Sequence, residues 1–433
     1  MAKVITKFVC QQCGAESPKW MGRCSLCGEW NSLVETTLTS PEETERVASQ
    51  TKPQRLDQVK SAFQARIKTG ISEFDAVIGG GMVPGSVILV SGEPGIGKST
   101  LMLQLVSQKA NSLYVSGEES LQQIKIRAQR LGLKKQNSLF LTETNVESIC
   151  TQIKELKPNL VVIDSVQTCW TDDLSGMAGS VGQVRESAAK LLKVVKPREI
   201  PLLLVGHVTK AGAIAGPKVL EHMVDTVVYL EGERFGTARL LRATKNRFGA
   251  TDEVGVFEMT DQGMKEVTNP SKLFLRERVK KVAGSVVVAT LEGTRPVLVE
   301  VQALVVPTTL AIPRRISQGV DNRRLQLIAA VLTKQLRLPL ATFDLYINVV
   351  GGIRIEEPGS DLGVALAIIS SFNGLPLDPK TVCFGEIGLL GEIREVSQTE
   401  KRKKEARKLG FTQIVSPDQF TSVNQLARKV FKK

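Results

Sequence analysis

Between about residues 66 and 267 the chain alternates short apolar runs with longer stretches of helical composition. The runs predict strands at 87–91, 112–116, 138–142, 160–164, 201–206 and 226–231, and the stretches between them predict helices at 98–109, 120–131, 145–156 and 181–195. Val87-Ile88-Leu89-Val90 and Leu160-Val161-Val162-Ile163 are apolar without a break, as strands buried on both faces are. The rhythm predicts an α/β fold, a parallel sheet covered on both sides by helices. From about residue 273 a second pattern begins, with strands at 284–291 and 295–304 and helices near 322–336, 361–373 and 398–409. The stretch from Glu35 to about Gln54 shifts to Thr, Glu, Ser, Pro and Gln and predicts a linker. The expected division is therefore a small module at 1–34, a linker at 35–60, an α/β domain at 61–270 and a C-terminal α+β domain at 271–433.

Ligands of open parallel sheets collect at the carboxyl ends of the strands, so residues just after a strand carry the first candidate chemistry. After the 87–91 strand comes Gly92-Glu93-Pro94-Gly95-Ile96-Gly97-Lys98-Ser99-Thr100, which satisfies the G-x-x-x-x-G-K-[ST] pattern of a phosphate-cradling P-loop. Its glycines turn the backbone so that N–H groups face phosphate oxygens, Lys98 reaches the β- and γ-phosphates, and the Ser99 hydroxyl holds Mg²⁺. The strand, loop and helix stand in the required order, and Lys98 is expected on a surface loop. The 160–164 strand ends in Asp164, followed by Ser165, where a carboxylate meets Mg²⁺. Ser116-Gly117-Glu118-Glu119 ends another strand, and Glu118 is the expected base for the attacking water. Glu119 either takes that role in its place or starts the next helix, where negative charge is favoured. His207, one of two histidines, follows the 201–206 strand and is either an ordinary satisfied polar residue or a γ-phosphate sensor.

Charge adds a partner to this picture. The chain carries a net +13 with pI about 9.4, which points to a polyanion, nucleic acid before membrane. Aromatic residues are only 5%, which argues against a surface that holds single strands mainly by base stacking. No apolar run approaches the roughly 18 residues of a membrane span, and the N-terminus lacks a signal peptide's apolar centre. A cytoplasmic protein without membrane contact is expected. In the small module, Cys10-x2-Cys13 and Cys24-x2-Cys27 match two metal knuckles completing a tetrahedral Zn²⁺ shell, with Gly14 and Gly28 supplying the turns and Trp20 and Trp30 the core. Disulfides are the competing use of these four residues, in the wrong redox setting for a cytosolic ATPase.

Thr69-Gly70-Ile71, Ile78-Gly79-Gly80-Gly81, Val83-Pro84-Gly85-Ser86, the P-loop, Ser116-Gly117-Glu118-Glu119-Ser120 and Lys245-Asn246-Arg247-Phe248-Gly249 together resemble the bacterial RadA (Sms) family, from Cys10 to the last helix. The resemblance implies a Cys₄ zinc finger, a RecA-like ATPase using ATP, Mg²⁺ and Zn²⁺, and a C-terminal domain similar to the Lon protease fold. It implies a DNA-dependent motor of recombinational repair, forming a hexameric homo-oligomeric ring on single-stranded and branched DNA, with a RecA-type recombinase as partner. Lys245 and Arg247 would then reach the neighbouring subunit's nucleotide, as cationic fingers of ring ATPases do, although a solvated hairpin tip is the plainer use of the same residues. Small-residue segments at 171–182 and 210–218 would line a DNA channel, with Arg185, Lys210 and Lys218 as contacts, or else simply cap the sheet. Glu357-Pro358-Gly359-Ser360-Asp361 resembles the Lon serine loop, but the dyad lysine's position falls on Glu400, so a scaffold and not a protease is expected. Two other classes remain open, a nucleotide-switched clamp that does not translocate and an ATP-dependent protease.

Overall fold

The computed structural model describes residues 4–10, 12, 14–39, 65–133, 137–207, 218–232, 237–276, 278–279 and 281–431, with side chains omitted at 4–7 and 35–39. The expected linker therefore lies largely outside the described residues. The chain divides into two compact units, one ending at Glu266 and one running from Val267 onward, with Gly232, Thr237 and Ala238 grouped with the second.

The first unit opens with a three-stranded antiparallel ribbon of β1 (Val4–Cys10), β2 (Glu16–Ser17) and β3 (Leu33–Thr39), in the order β2-β1-β3. Then follow α1 (Ser72–Val77), β4 (Val87–Gly92), α2 (Lys98–Ser107), β5 (Ser112–Ser116), α3 (Leu121–Arg130), β6 (Leu139–Thr142), α4 (Val146–Leu156), β7 (Leu160–Asp164), α5 (Val181–Val195), β8 (Leu202–His207), the short α6 (Lys218–Glu221) and β9 (Thr226–Glu231). The chain returns as β10 (Ala238–Asn246), β11 (Val254–Thr260) and β12 (Gly263–Glu266). All nine strands from β4 to β12 share one sheet in the order β12-β11-β10-β9-β4-β8-β7-β5-β6. The six from β9 to β6 are parallel, whereas β10 runs antiparallel to β9 and β11 pairs antiparallel with β12.

Both faces of the parallel part are covered, and the strands alternate accordingly. Ile88 and Val90 join the core formed with α2 and α3, while Val87 and Leu89 join the core formed with α4 and α5. Every residue of β4, β5 and β7 is buried, and each such Val, Leu or Ile contributes about 1.5–3 kcal/mol. Helix starts are locally encoded: Ser120 and Gln123 close a capping box on α3, and the Asn145 side chain accepts from Ser148 N on α4. The parallel strands and their helices fall within two residues of the predicted bounds. The antiparallel extension of β10, β11 and β12 is not among the predicted strands, because its pairing depends on residues far away in sequence.

The second unit contains α7 (Pro270–Phe274), β13 (Ser285–Glu292), β14 (Arg295–Pro307), β15 (Arg315–Gln318), α8 (Asn322–Leu336), β16 (Phe343–Val349), α9 (Asp361–Asn373), β17 (Thr381–Cys383), β18 (Glu386–Ile387), β19 (Ile393–Arg394), α10 (Thr399–Lys408), β20 (Gln413–Val415) and α11 (Val423–Val430). Its mixed sheet has the order β15-β16-β14-β13-β17-β20. Helix α9 is buried over its first ten residues, as its nearly unbroken apolar sequence requires. The strands after β14 and helix α11 were not predicted; several are only two to four residues long and carry no readable period.

Candidate functional site

The P-loop leaves β4 at Gly92 and enters α2 at Lys98. Gly92, Gly95 and Gly97 all have positive φ, at 155°, 79° and 115°. A Cβ on Gly97 would come within 2.4 Å of the Met264 terminal methyl and 2.5 Å of that of Met259, from the β11–β12 hairpin, but these flexible ends can shift, so it is the φ that calls for glycine there. No side chain caps the start of α2, which leaves its first N–H groups directed at the loop. Glu93, Pro94 and Gly95 are exposed, Ile96 is buried, and Ser99 and Thr100 are half-buried on the first turn.

Lys98 is not on a surface, contrary to expectation. It is 3% exposed, and its Nζ donates to the carbonyls of Gly92 (2.9 Å) and Glu93 (3.0 Å). Burial pulls its pKa down to about 8, against the opposing pull of Asp164 and Glu118. Those two carboxylates are thus part of the same electrostatic site. Asp164, at the end of β7, is buried and accepts a short hydrogen bond from Tyr114 Oη. Burial, and Asp164 after it, hold the Tyr114 hydroxyl well above its ordinary pKa, so it stays a donor. Tyr114 was missed from sequence. Ser116 pairs with Asp164, and Tyr114 lies two residues earlier on the same face, so the signal was the diagonal cross-strand position.

The structure separates the two glutamates. Glu119 forms an ion pair with Arg127 of α3. Glu118 Oε1 instead accepts from Ser165 Oγ at 2.6 Å and lies 3.3 Å from His207 Nε2. Its side chain remains 46% exposed, as a group that must meet a ligand requires. The close fit has a local cause: a Cβ on Gly117 would fall 1.9 Å from Thr168 Oγ1, so only glycine lets the Glu118 turn lie against the turn after β7. Strand ends of β5, β7 and β8 thereby bring Glu118, Asp164, Ser165 and His207 together beside the P-loop.

Lys245 and Arg247 lie elsewhere. Asn246 pairs with Thr226, which pairs with Ile88, whereas Leu230 is the partner of Gly92. The motif therefore sits at the opposite end of the sheet, four strand residues or roughly 13 Å from the loop of its own chain. Lys245 Nζ donates to the carbonyls of Glu221 (2.6 Å) and Val224 (2.9 Å), closing the end of α6. Arg247 meets Asp225 at 3.1 Å and keeps 53% of its side chain exposed. Gly249 lies against the glycine turn that follows α1, where a Cβ would come 3.1 Å from Gly79 Cα.

Arg185, near the start of α5, and Lys218, at the start of α6, are exposed. Lys210 and most of its segment lie outside the described residues. Residues 171–176 are held down: Gln183 is buried, accepts from Thr171 N and donates to the carbonyls of Thr171 and Leu174, while Lys190 pairs with Glu147 and Asp173.

In the ribbon, the sulfurs of Cys10, Cys24 and Cys27 lie within 4.8 Å of one another, and Cys13 lies outside the described residues. The two knuckles repeat one geometry, with Gly14 N donating to Cys10 O and Gly28 N to Cys24 O, at φ of 73° and 75°. Three thiols converging from paired turns fit a tetrahedral zinc site. The core differs from expectation. Cys10, Cys24 and Leu33 form it, while Trp20 and Trp30 are 57% and 68% exposed.

In the second unit Ser360 is buried and its Oγ donates to Glu357 O at 3.1 Å. Glu400 does not face it; its side chain is 81% exposed and pairs with Lys403. The cation turned inward from α10 is Arg402, bound to the Glu357 carboxylate through both terminal nitrogens. A guanidinium does not give up its proton, so Arg402 cannot serve Ser360 as a general base.

Among the described residues no helix is long and apolar enough to cross a membrane. Residues 67–140 match the family described as KaiC ATPase, residues 8–35 a zinc ribbon described as a rubredoxin metal binding domain, and residues 316–419 the ChlI subunit of Mg-chelatase. The chain is 49% identical over 427 residues to the DNA repair protein RadA of Bacillus subtilis, covering 96% of this chain and 93% of that one. Identity is 51% over 427 residues to RadA of Halalkalibacterium halodurans, with the same coverage. RadA of Listeria monocytogenes is 49% identical over 423 residues, covering 96% and 93%.

Proposed function

This chain belongs to the RadA family of DNA repair proteins, and from that premise we propose that it is a DNA-dependent ATPase motor that drives branch migration on recombination intermediates. The carrying observation is the Glu118 carboxylate held between Ser165 and His207, beside a buried Lys98 and Asp164. That set suits hydrolysis, not nucleotide binding alone.

In this reading the turn 93–97 and the start of α2 cradle the phosphates of ATP, and Lys98 exchanges its two carbonyl partners for phosphate oxygens. Ser99 and Asp164 would hold Mg²⁺, which would supply positive charge against the charge developing on the phosphates. Glu118 orients the attacking water and takes its proton. His207, bonded to Glu118, senses the γ-phosphate. Arg247, with Lys245 behind it, reaches the nucleotide of a neighbouring subunit in a ring, since the register keeps both away from their own. Single-stranded and branched DNA is contacted by Arg185, Lys210 and Lys218, with a RecA-type recombinase as partner. Its affinity falls with salt at a log–log slope of about −0.7 per phosphate neutralised.

A non-translocating clamp is the second reading, favoured by the Asp225 carboxylate that already holds Arg247 within its own chain. The test separates the two. Arg247→Ala should bind ATP nearly normally and hydrolyse it poorly, because a transition-state partner is lost that the ground state barely uses. Mixing it with Lys98→Ala subunits should restore part of the turnover, measured in single-round and steady-state assays with single-stranded DNA. Wild-type hydrolysis by Arg247→Ala, or equal losses of ATP and DNA binding without a chemical defect, sinks the ring motor.

A further inference from the structure

Two of the chain's three tryptophans lie in the zinc ribbon, and both are exposed on it. They stand together. A Cβ placed on Gly22 would lie 3.8 Å from Trp20 Cη2 and 3.8 Å from Trp30 Cζ3, so the two rings flank one point. Those atoms are therefore no more than about 7.6 Å apart, a span that a strand covers in roughly two steps of about 3.4 Å. Arg23 stands over the Trp30 ring at 5.7 Å, anchored by Nε donating to Gly28 O at 2.7 Å. Lys19 is exposed beside Trp20, and residues 1–34 carry four cationic side chains (Lys3, Lys7, Lys19, Arg23) against two carboxylates (Glu16, Glu29). The ribbon's core is complete without either indole. Neither exposed ring belongs to that core.

We propose that Trp20, Trp30 and Arg23 form a stacking platform for the bases of single-stranded DNA. Open π-faces with an adjacent guanidinium are the elements from which sequence-tolerant single-strand sites are built, the rings taking bases and the cations taking phosphates. The low aromatic content of the whole chain does not oppose this, because the few indoles are concentrated where a strand can reach them. The proposal rests on the DNA reading above and adds a base-contacting site to it.

The test compares the full-length protein binding oligothymidylate and an abasic oligomer of equal length, which offers the same phosphates without bases. Wild type should prefer the thymidylate by roughly tenfold or more, with quenching of indole fluorescence. Trp20→Ala/Trp30→Ala should lose that preference while retaining zinc and melting temperature, and Trp20→Phe/Trp30→Phe should recover most of it. Trp20→Leu/Trp30→Leu keeps the apolar bulk without a ring and should lose the preference too, which covers the case of an alanine pair that sheds zinc. A preference unchanged in the leucine pair, or absent in wild type, overturns the platform and leaves the two indoles as a protein-docking patch. Wild type binding neither oligomer would overturn the DNA reading as well.

Discussion

Lys98 in the first unit and Arg402 in the second are both cations buried near a glycine-containing turn at the start of a helix, and they are treated in opposite ways. Lys98 in the first unit has only two backbone carbonyls as direct partners, and burial lowers its pKa to about 8. Arg402 in the second unit is fully buried, gives both terminal nitrogens to Glu357, and donates to Ala289 O at 2.6 Å and Ser397 O at 2.9 Å. A cation whose charge is already matched inside the domain has nothing left for a ligand. One that is hydrogen-bonded to neutral carbonyls, with Asp164 and Glu118 acting on it only through space, can exchange those carbonyls for an incoming phosphate. The same kind of sequence feature, a P-G-x loop before a helix, thus ends as a ligand site in one unit and a structural clasp in the other.

The largest effect should come from Lys98→Ala, which we expect to lower ATP turnover by about 10²–10³ or more with little change in circular dichroism. Turnover near wild type would remove the contrast at its ligand end. Next, Arg402→Ala should strand the Glu357 carboxylate and cost about 3–5 kcal/mol in urea unfolding of the second unit. Arg402→Met combined with Glu357→Gln should recover part of that, because no buried charge is then unpaired. If the single variant loses nothing, the clasp is not one.

The pH dependence is a smaller effect with a defined sign. The folded pKa of Lys98, about 8, lies below its ordinary 10.5, so between those values the unfolded chain holds a proton that the folded chain lacks. This group makes the ligand-free protein more stable as pH rises across that window, and contributes a constant penalty below it. Phosphate favours the charged ammonium, so ATP affinity should run the other way, weakening by up to about tenfold per pH unit above 8. Equilibrium binding should show that slope in wild type and lose it in Lys98→Arg. The smallest effect is expected at Ser360. Its replacement by Ala should shift stability by no more than about 1 kcal/mol, and the purified protein should leave casein intact with or without ATP. Casein cleavage that disappears in Ser360→Ala would reverse the comparison.

Much of this was legible before any fold was seen. The P-loop, Asp164 and the cysteine knuckles are defined by residue spacing within a few positions, and the parallel strands by unbroken apolar runs. Less legible were choices between neighbours. Glu118 and Glu119 are both acidic residues at a strand end, and only the approach of Ser165 to one and Arg127 to the other distinguishes their surroundings. The dyad lysine's position falls on Glu400 in α10, but the face turned inward there carries Arg402, because helix phase relative to the sheet is set by packing. Trp20 and Trp30 were assigned to a core by their hydrophobicity, whereas two thiols and Leu33 already fill so small a module.

The sequence by itself determined the chemistry that is local: a phosphate loop, a carboxylate at a strand end, two thiol knuckles and the order of strands and helices, since each depends on backbone geometry over a handful of residues. Tertiary structure alone decided which groups meet across the sheet. It placed Tyr114 on Asp164, Glu118 on Ser165 and His207, and Arg247 at the far end from its own loop, because strand register and helix phase are fixed by the packing of distant segments and leave no mark in local order.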